Sequence, residues 1–332
     1  MLIKDEWKQQ GFIDEKVDDT VDLKKEIRRL CKEKDAIILA HYYTIGDIQD
    51  VADFVGDSLA LAQKAANTEA KMMVMCGVHF MAETCKLLSP DKKVIVPDVN
   101  AGCSLADSCK ADDLKAFRDE HPGYEVISYV NTTAAVKALT DVVVTSGNAK
   151  KIVDQLPKDA KLIFGPDYNL GSYINSVTGR DMLLWNGGCH VHERFSVEGI
   201  AELKKLHPDA VVMAHLECKG PVLSAADVVG STAVMLRYAQ EHDEVKEFIV
   251  ATEAGILHEM QRTCPDKMFF PVPPEVTEGG VACSCNECQY MKMNTLQKLY
   301  NALKYEWPEV DVDETIAADA VKPIHRMLEM SR

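Results

Sequence analysis

The sequence predicts an α/β protein built from three small sandwich units whose functional ends converge on one central site. Three observations lead there. Short apolar runs without alternation, such as "AIILAHYY", "KMMVMCGV" and "KLIFGPD", alternate with helical segments, as in parallel sheets covered on both faces. The pattern recurs: "VGDS" at Ser58, "VTSGN" at Ser146 and "VGST" at Ser231 lie 88 and 85 residues apart. Polar clusters then fall where the runs end, which is where parallel sheets gather ligand groups.

The elements follow in order along the chain. Residues 1–34 read as a solvated tail, with Trp7 tucked against the body, and an amphipathic helix over 20–34. The first unit, 35–112, holds "AIILAHYY" ending in His41 and Tyr43, the run before Ser58, "KMMVMCGV", and "KVIVPD" leading to Cys103. The second, 113–196, holds "YEVISYVN" with Tyr129 and Asn131, the run before Ser146, "KLIFGPD", and "MLLWN" leading to Cys189. The third, 197–290, holds "AVVMAHLE" with His215 and Glu217, the run before Thr232, "EFIVATE", and "MFFPVP" leading to "CSCNEC". Stretches 288–304 and 313–330 read as closing helices, most of them in a last segment, 291–332. Ser, Thr or Asn is the expected cap where the helices after Ser58, Ser146 and Ser231 begin.

Bulk properties narrow the partners. A chain of 332 residues can bury two or three sizeable cores, and its 47% hydrophobic and 27% charged residues are ordinary for a soluble protein. The net charge of −15 argues against nucleic acid and anionic membrane. No apolar run approaches the roughly 20 residues that span a bilayer. The start, "MLIKDEWKQQ", lacks the apolar core of a secretory signal. Eleven cysteines without an export signal point to the cytoplasm, where thiols serve metals or catalysis.

One cysteine in an equivalent loop of each unit offers three thiolates to a shared metal group, iron–sulfur or zinc. A four-iron cluster normally takes four cysteines; with three, one iron stays open as a Lewis acid. Cys31, Cys76, Cys85, Cys218 and Cys264 sit in helical or strand patterns and read as packing. Cys109, close to Cys103, reads the same way. Cys285 and Cys288 form a lone CxxC, half of a zinc site or a redox pair, and the absence of a second CxxC disfavours a zinc ribbon.

The stretches "LAHYY", "FVGDS", "YVNTT", "TSGN", "GGCHVH", "HLEC", "VGST" and "MKMNTL" together resemble the quinolinate synthase family, with the likeness running from about residue 24 to "KPIHRMLEM". The resemblance implies three αβα domains around a pseudo-threefold axis and one [4Fe-4S] cluster per chain, with three Cys ligands and one open iron. It implies condensation of iminoaspartate (iminosuccinate) with dihydroxyacetone phosphate to quinolinate, phosphate and water, the imine coming from an upstream aspartate-oxidising enzyme. Carried over, the cluster ligands are Cys103, Cys189 and Cys288. The substrate contacts fall on His41, Tyr43, Ser58, Tyr129, Asn131, Ser146, His215, Glu217 and Thr232, with His192 as a neighbour. This chain reads Cys-x-Cys-x-x-Cys at Cys283, Cys285 and Cys288, a departure that bears on the third ligand.

The residues suit such chemistry. Helix starts at Ser58, Ser146 and Thr232 favour carboxylate and phosphate through free N–H groups and the helix dipole. One copy would read as plain capping; three at equivalent places point to binding. Alternation on a strand puts His215 and Glu217 on one face, an acid–base pair with Glu217 as main proton shuttle, and likewise pairs His41 with Tyr43. Two other readings account for part of the pattern: an aconitase-type hydro-lyase acting on another hydroxy acid, and a non-enzymatic zinc or cluster-sensing module.

Overall fold

In the computed structural model, which describes residues 3–275 and 286–332, twelve strands form three parallel four-stranded sheets. The first sheet contains β1 (Ala36–His41), β2 (Phe54–Gly56), β3 (Met72–Cys76) and β4 (Lys93–Ile95) in the order β2-β1-β3-β4. β5 (Glu125–Tyr129), β6 (Val142–Val144), β7 (Leu162–Gly165) and β8 (Leu183–Leu184) repeat that order as β6-β5-β7-β8. β9 (Val211–His215), β10 (Val228–Gly230), β11 (Glu247–Ala251) and β12 (Met268–Pro271) repeat it again as β10-β9-β11-β12. Every pairing is parallel, and helices separate the strands, so the continuous apolar runs are buried on both faces. All five residues of β3 and all four of β7 are buried. No helix among the described residues is long and apolar enough to cross a membrane.

Strand register fixes which residues are equivalent. His41 pairs with Gly56, Tyr129 with Val144 and His215 with Gly230. Counting on from the second strand of each pair, Asp57, Thr145 and Ser231 occupy one position, and Ser58, Ser146 and Thr232 the next. Ser231 therefore matches Asp57, one place earlier than the serine spacing suggests. The expected caps change with it. Asp57, not Ser58, caps the helix Ser58–Asn67 by accepting from Ala60 N–H. Ser231 caps Thr232–Glu241, and the helix after Ser146 starts only at Ala149.

The three units meet where these positions converge. A methyl group built on Gly147 would stand 3.6 Å from Ser231 Oγ, 3.7 Å from Thr145 Oγ1 and 3.8 Å from Asp57 Oδ2, one atom from each repeat.

The ends of the chain depart from the sequence reading in two places. Part of the N-terminal stretch is a helix, Asp5–Gln10, which buries Trp7 edge-on against Tyr305 at 5.1 Å. The first closing helix is Leu296–Tyr305, capped by Thr295, rather than 288–304; Cys288 to Asn294 form a loop and one 3₁₀ turn. That stretch is spent on presenting Cys288. The second closing helix is Glu314–Met330.

Candidate active site

One cavity, of about 700 Å³ with its mouth included, is lined by every residue carried over as a ligand or substrate contact. Each unit supplies four of them. His41, Tyr43, Ser58 and Cys103 come from the first, and Tyr129, Asn131, Ser146 and Cys189 from the second. His215, Glu217, Thr232 and Cys288 come from the third, and His192 lies among them. Cys283 and Cys285 lie outside the described residues.

The cysteines separate by exposure. Cys103, Cys189 and Cys288 are partly open, whereas Cys31, Cys76, Cys85, Cys109, Cys218 and Cys264 are buried. Each cavity sulfur sits at the start of a helical turn and accepts two backbone N–H groups. They come from Leu105 and Ala106 for Cys103, Val191 and His192 for Cys189, and Tyr290 and Met291 for Cys288. Burial nevertheless pushes all three thiols up, Cys103 to about 12. Two N–H bonds per sulfur favour thiolate, and the charge of a bound metal would supply the rest. The donor set fits a thiolate-ligated metal group. In addition, Cys189, His192 and Glu217 present ligand atoms all within 4.8 Å of one another, a group able to hold a metal.

Glu217 anchors a chain of hydrogen bonds across the units. Tyr129 Oη donates to Glu217 Oε1 at 2.5 Å, and His192 Nδ1 lies between Glu217 Oε2, at 3.1 Å, and Cys189 Sγ, at 3.2 Å. On the far side of the imidazole, Nε2 is 2.9 Å from Thr252 Oγ1, which is 2.7 Å from Tyr43 Oη. Burial pushes the Glu217 carboxyl up, but His192 and the Tyr129 hydroxyl outweigh it and hold the group ionised. Burial, then the Glu217 charge, pushes both tyrosines well above their usual range, so each hydroxyl keeps its proton.

The pairings expected from strand alternation change in detail. β1 and β9 end at His41 and His215, so Tyr43 and Glu217 sit in the turns that follow. There, Tyr43 N–H donates to His41 Nδ1 at 3.1 Å, and Glu217 N–H to His215 Nδ1 at 3.3 Å. His215 Nδ1 is 3.8 Å from Glu217, farther than His192, because the backbone N–H already occupies it. Burial pulls both rings down to about 3, with the His215 ring adding to the effect at His41 and Glu217 opposing it at both. Both imidazoles are therefore neutral, with Nδ1 accepting and the proton on Nε2, ready to donate to a ligand oxygen.

The helix starts also differ from expectation. Asp57 and Ser231 use their own side chains on N–H groups that seemed free for an anion. What faces the cavity is the Ser58, Ser146 and Thr232 side chains, together with Asn131. Thr145 Oγ1 and Asn131 Oδ1 are buried without a hydrogen-bond partner among the described residues. Burial pushes the Asp57 carboxyl up beside them.

The sequence reading missed Thr252, Asp57, Thr145 and Glu253, all cavity residues or links between them. Each stands just past a strand end, so a polar residue closing an apolar run was the available signal. Glu253 is fully buried. Its Oε1 accepts from Cys288 N–H at 2.9 Å and from Lys292 Nζ at 2.8 Å, and Lys292 also holds Tyr43 O at 2.8 Å.

Comparison with known proteins adds an independent line. The family model described as Quinolinate synthetase A protein matches residues 25–329. A protein of Nostoc punctiforme named quinolinate synthase is 53% identical, over 94% of this chain and 94% of its own length. Proteins of the same name from Thermosynechococcus vestitus and Chloroherpeton thalassium are 53% and 51% identical, each over 94% of this chain and over 96% and 95% of their own.

Proposed function

The chain belongs to the quinolinate synthetase A protein family, and from that premise we propose how its cavity acts as a quinolinate synthase. The reaction condenses iminoaspartate with dihydroxyacetone phosphate to quinolinate, phosphate and water, within NAD biosynthesis. The observation that carries the reading is the meeting, in one cavity, of three turn-presented cysteines and the Tyr129–Glu217–His192–Thr252–Tyr43 chain.

Both substrates are anionic, and the cavity offers neutral donors to them. Hydroxyls of Ser58, Ser146 and Thr232, the Asn131 amide and the Nε2–H groups of His41 and His215 bind carboxylate and phosphate oxygens. Enclosure by three units excludes water, which strengthens each of these bonds.

Cys103, Cys189 and Cys288 would hold a [4Fe-4S] cluster, one per chain, which would supply Lewis-acid chemistry. Proton movement belongs to the side chains. Glu217, 3.1 Å from Nδ1, orients the His192 imidazole, as a carboxylate does in a hydrolase triad. His192 Nε2 then exchanges a proton with Tyr43 Oη through Thr252, while Tyr129 serves Glu217 from the other side. Glu217 thus shuttles protons together with His192, and His215 orients substrate. The imine comes from an aspartate-oxidising enzyme, and the setting is the cytoplasm.

The test is anaerobic turnover with each substrate omitted in turn, alongside iron analysis. Quinolinate formed only when both substrates are present supports the reading. Dehydration of a hydroxy acid without any phosphorylated substrate would favour the hydro-lyase, and a colourless zinc protein without turnover the non-enzymatic module.

A further inference from the structure

Lys137 is fully buried and makes no ion pair among the described residues, although the charge of Glu83 reaches it. Its ammonium donates to Val130 O at 2.9 Å and to Thr132 O, and stands 5.4 Å from the centre of the Phe80 ring. A buried ammonium is costly, so two carbonyl bonds and one ring face must matter to the fold or to the site.

The internal repeat shows which. Lys137 lies eight residues past Tyr129, the end of β5, and Gln49 lies eight past His41, the end of β1. Gln49 is also buried, and its Nε2 lies 2.9 Å from each of three acceptors, Tyr42 O, Thr44 O and, from the third unit, Gly255 O. The first two carbonyls are one and three residues past the strand end, as Val130 and Thr132 are past Tyr129. The turns match in a second bond. Thr44 Oγ1 donates to His41 O at 2.9 Å and Thr132 Oγ1 to Tyr129 O at 3.2 Å. The third unit has Leu223 at this position. Its turn is held from elsewhere, by Asn169 Nδ2 on Glu217 O at 3.2 Å and Cys218 Sγ on Ala251 O at 3.4 Å. The residue between the two pinned carbonyls is Tyr43 in the first unit and Asn131 in the second, and both line the cavity.

We propose that Lys137 is a positioning residue for substrate binding: by clamping Val130 O and Thr132 O it sets Asn131 in the cavity, as Gln49 sets Tyr43. The task is donation to two carbonyls, which an uncharged amide performs equally well. This rests on the quinolinate synthase reading only for the identity of the ligand.

Two variants test it, Lys137→Gln and Lys137→Met, each examined in two ways. Hydrogen exchange of the peptide spanning residues 129–133 reports the turn without reference to function. Calorimetric binding of quinolinate to the anaerobic holoenzyme reports the site. Lys137→Met should lose protection in that peptide and bind quinolinate about tenfold or more weakly, since two buried carbonyls lose their donor. Lys137→Gln should keep the protection and bind within about threefold of the unaltered protein. If Met leaves exchange and affinity unchanged, or if Gln fails as Met does, the proposal is overturned. Should the Met variant not fold, Lys137→Gln decides alone, with retained binding supporting it and a tenfold loss refuting it. An unaltered enzyme that does not bind quinolinate would count against the function, while the exchange data would still judge Lys137.

Discussion

Tyr129 Oη and Glu217 Oε1, 2.5 Å apart, join the end of β5 to the turn past β9, so a cavity-lining hydroxyl and the proposed proton shuttle are fixed across two units. The hydroxyl keeps its proton and the carboxylate its charge, which makes this a charge-assisted bond.

Glu217→Gln keeps the shape of that carboxylate but removes the charge that steadies His192. Turnover should fall by roughly a hundredfold or more. Iron content should stay at the unaltered level, because Glu217 is not a proposed cluster ligand. Full turnover in the variant would sink the assignment.

Thr252→Val tests the link between His192 and Tyr43. Valine fills the same volume without a hydroxyl, so both hydrogen bonds at 2.9 and 2.7 Å disappear. The expected result is a fall in kcat of about tenfold to a hundredfold, with a much smaller change in KM. A change confined to KM would place Thr252 in binding instead.

Single alanine variants separate ligands from packing. Anaerobic Cys103→Ala, Cys189→Ala and Cys288→Ala should lose most of their iron and visible absorption on reconstitution. Cys109→Ala should retain both, since that thiol is buried in a separate apolar cluster with Leu114 and Val126. Iron loss in Cys109→Ala combined with retention in Cys288→Ala would redraw the ligand set. The same series extends to Cys283 and Cys285, which are expected to be dispensable.

The neutral histidines give a pH prediction. His41 and His215 titrate near 6.5 when unfolded and near 3 when folded. Between those values the unfolded chain binds more protons, so stability rises with pH across the window and is lost as pH falls below about 6.5. Denaturation midpoints of the metal-free protein should drop from pH 6.5 to 5, a slope that the burial-raised carboxyls of Asp57, Asp167 and Glu253 oppose. Replacing both residues with glutamine should flatten the slope there; an unchanged slope would show that these rings do not carry it.

Much of this was legible in the residues alone. The threefold repeat shows through because buried parallel strands need continuous apolar runs, and each run must end in solvent or in a site. His41, Tyr129 and His215 could be placed for that reason. Positions such as Glu217 were legible as types but not in geometry, because the strand stops at His215 and a turn replaces alternation. Thr252 and Glu253 were hidden for another reason. Their partners, Tyr43 and Cys288, are distant in sequence, and nothing local in "VATEAG" announces a contact with either. The capping register shows the same limit, since Asp57 and Ser58 are equally good caps on paper and only pairing with β1 decides between them.

The equal sharing of cavity residues among the three units also has a meaning for biosynthesis. A chain emerging from the ribosome presents His41 first and Cys288 last among these cavity residues. Until the third unit is begun, the nascent polypeptide owns two thirds of these residues and no enclosed space. A metal group that took one sulfur from each unit would therefore be loaded only once the third unit had been made.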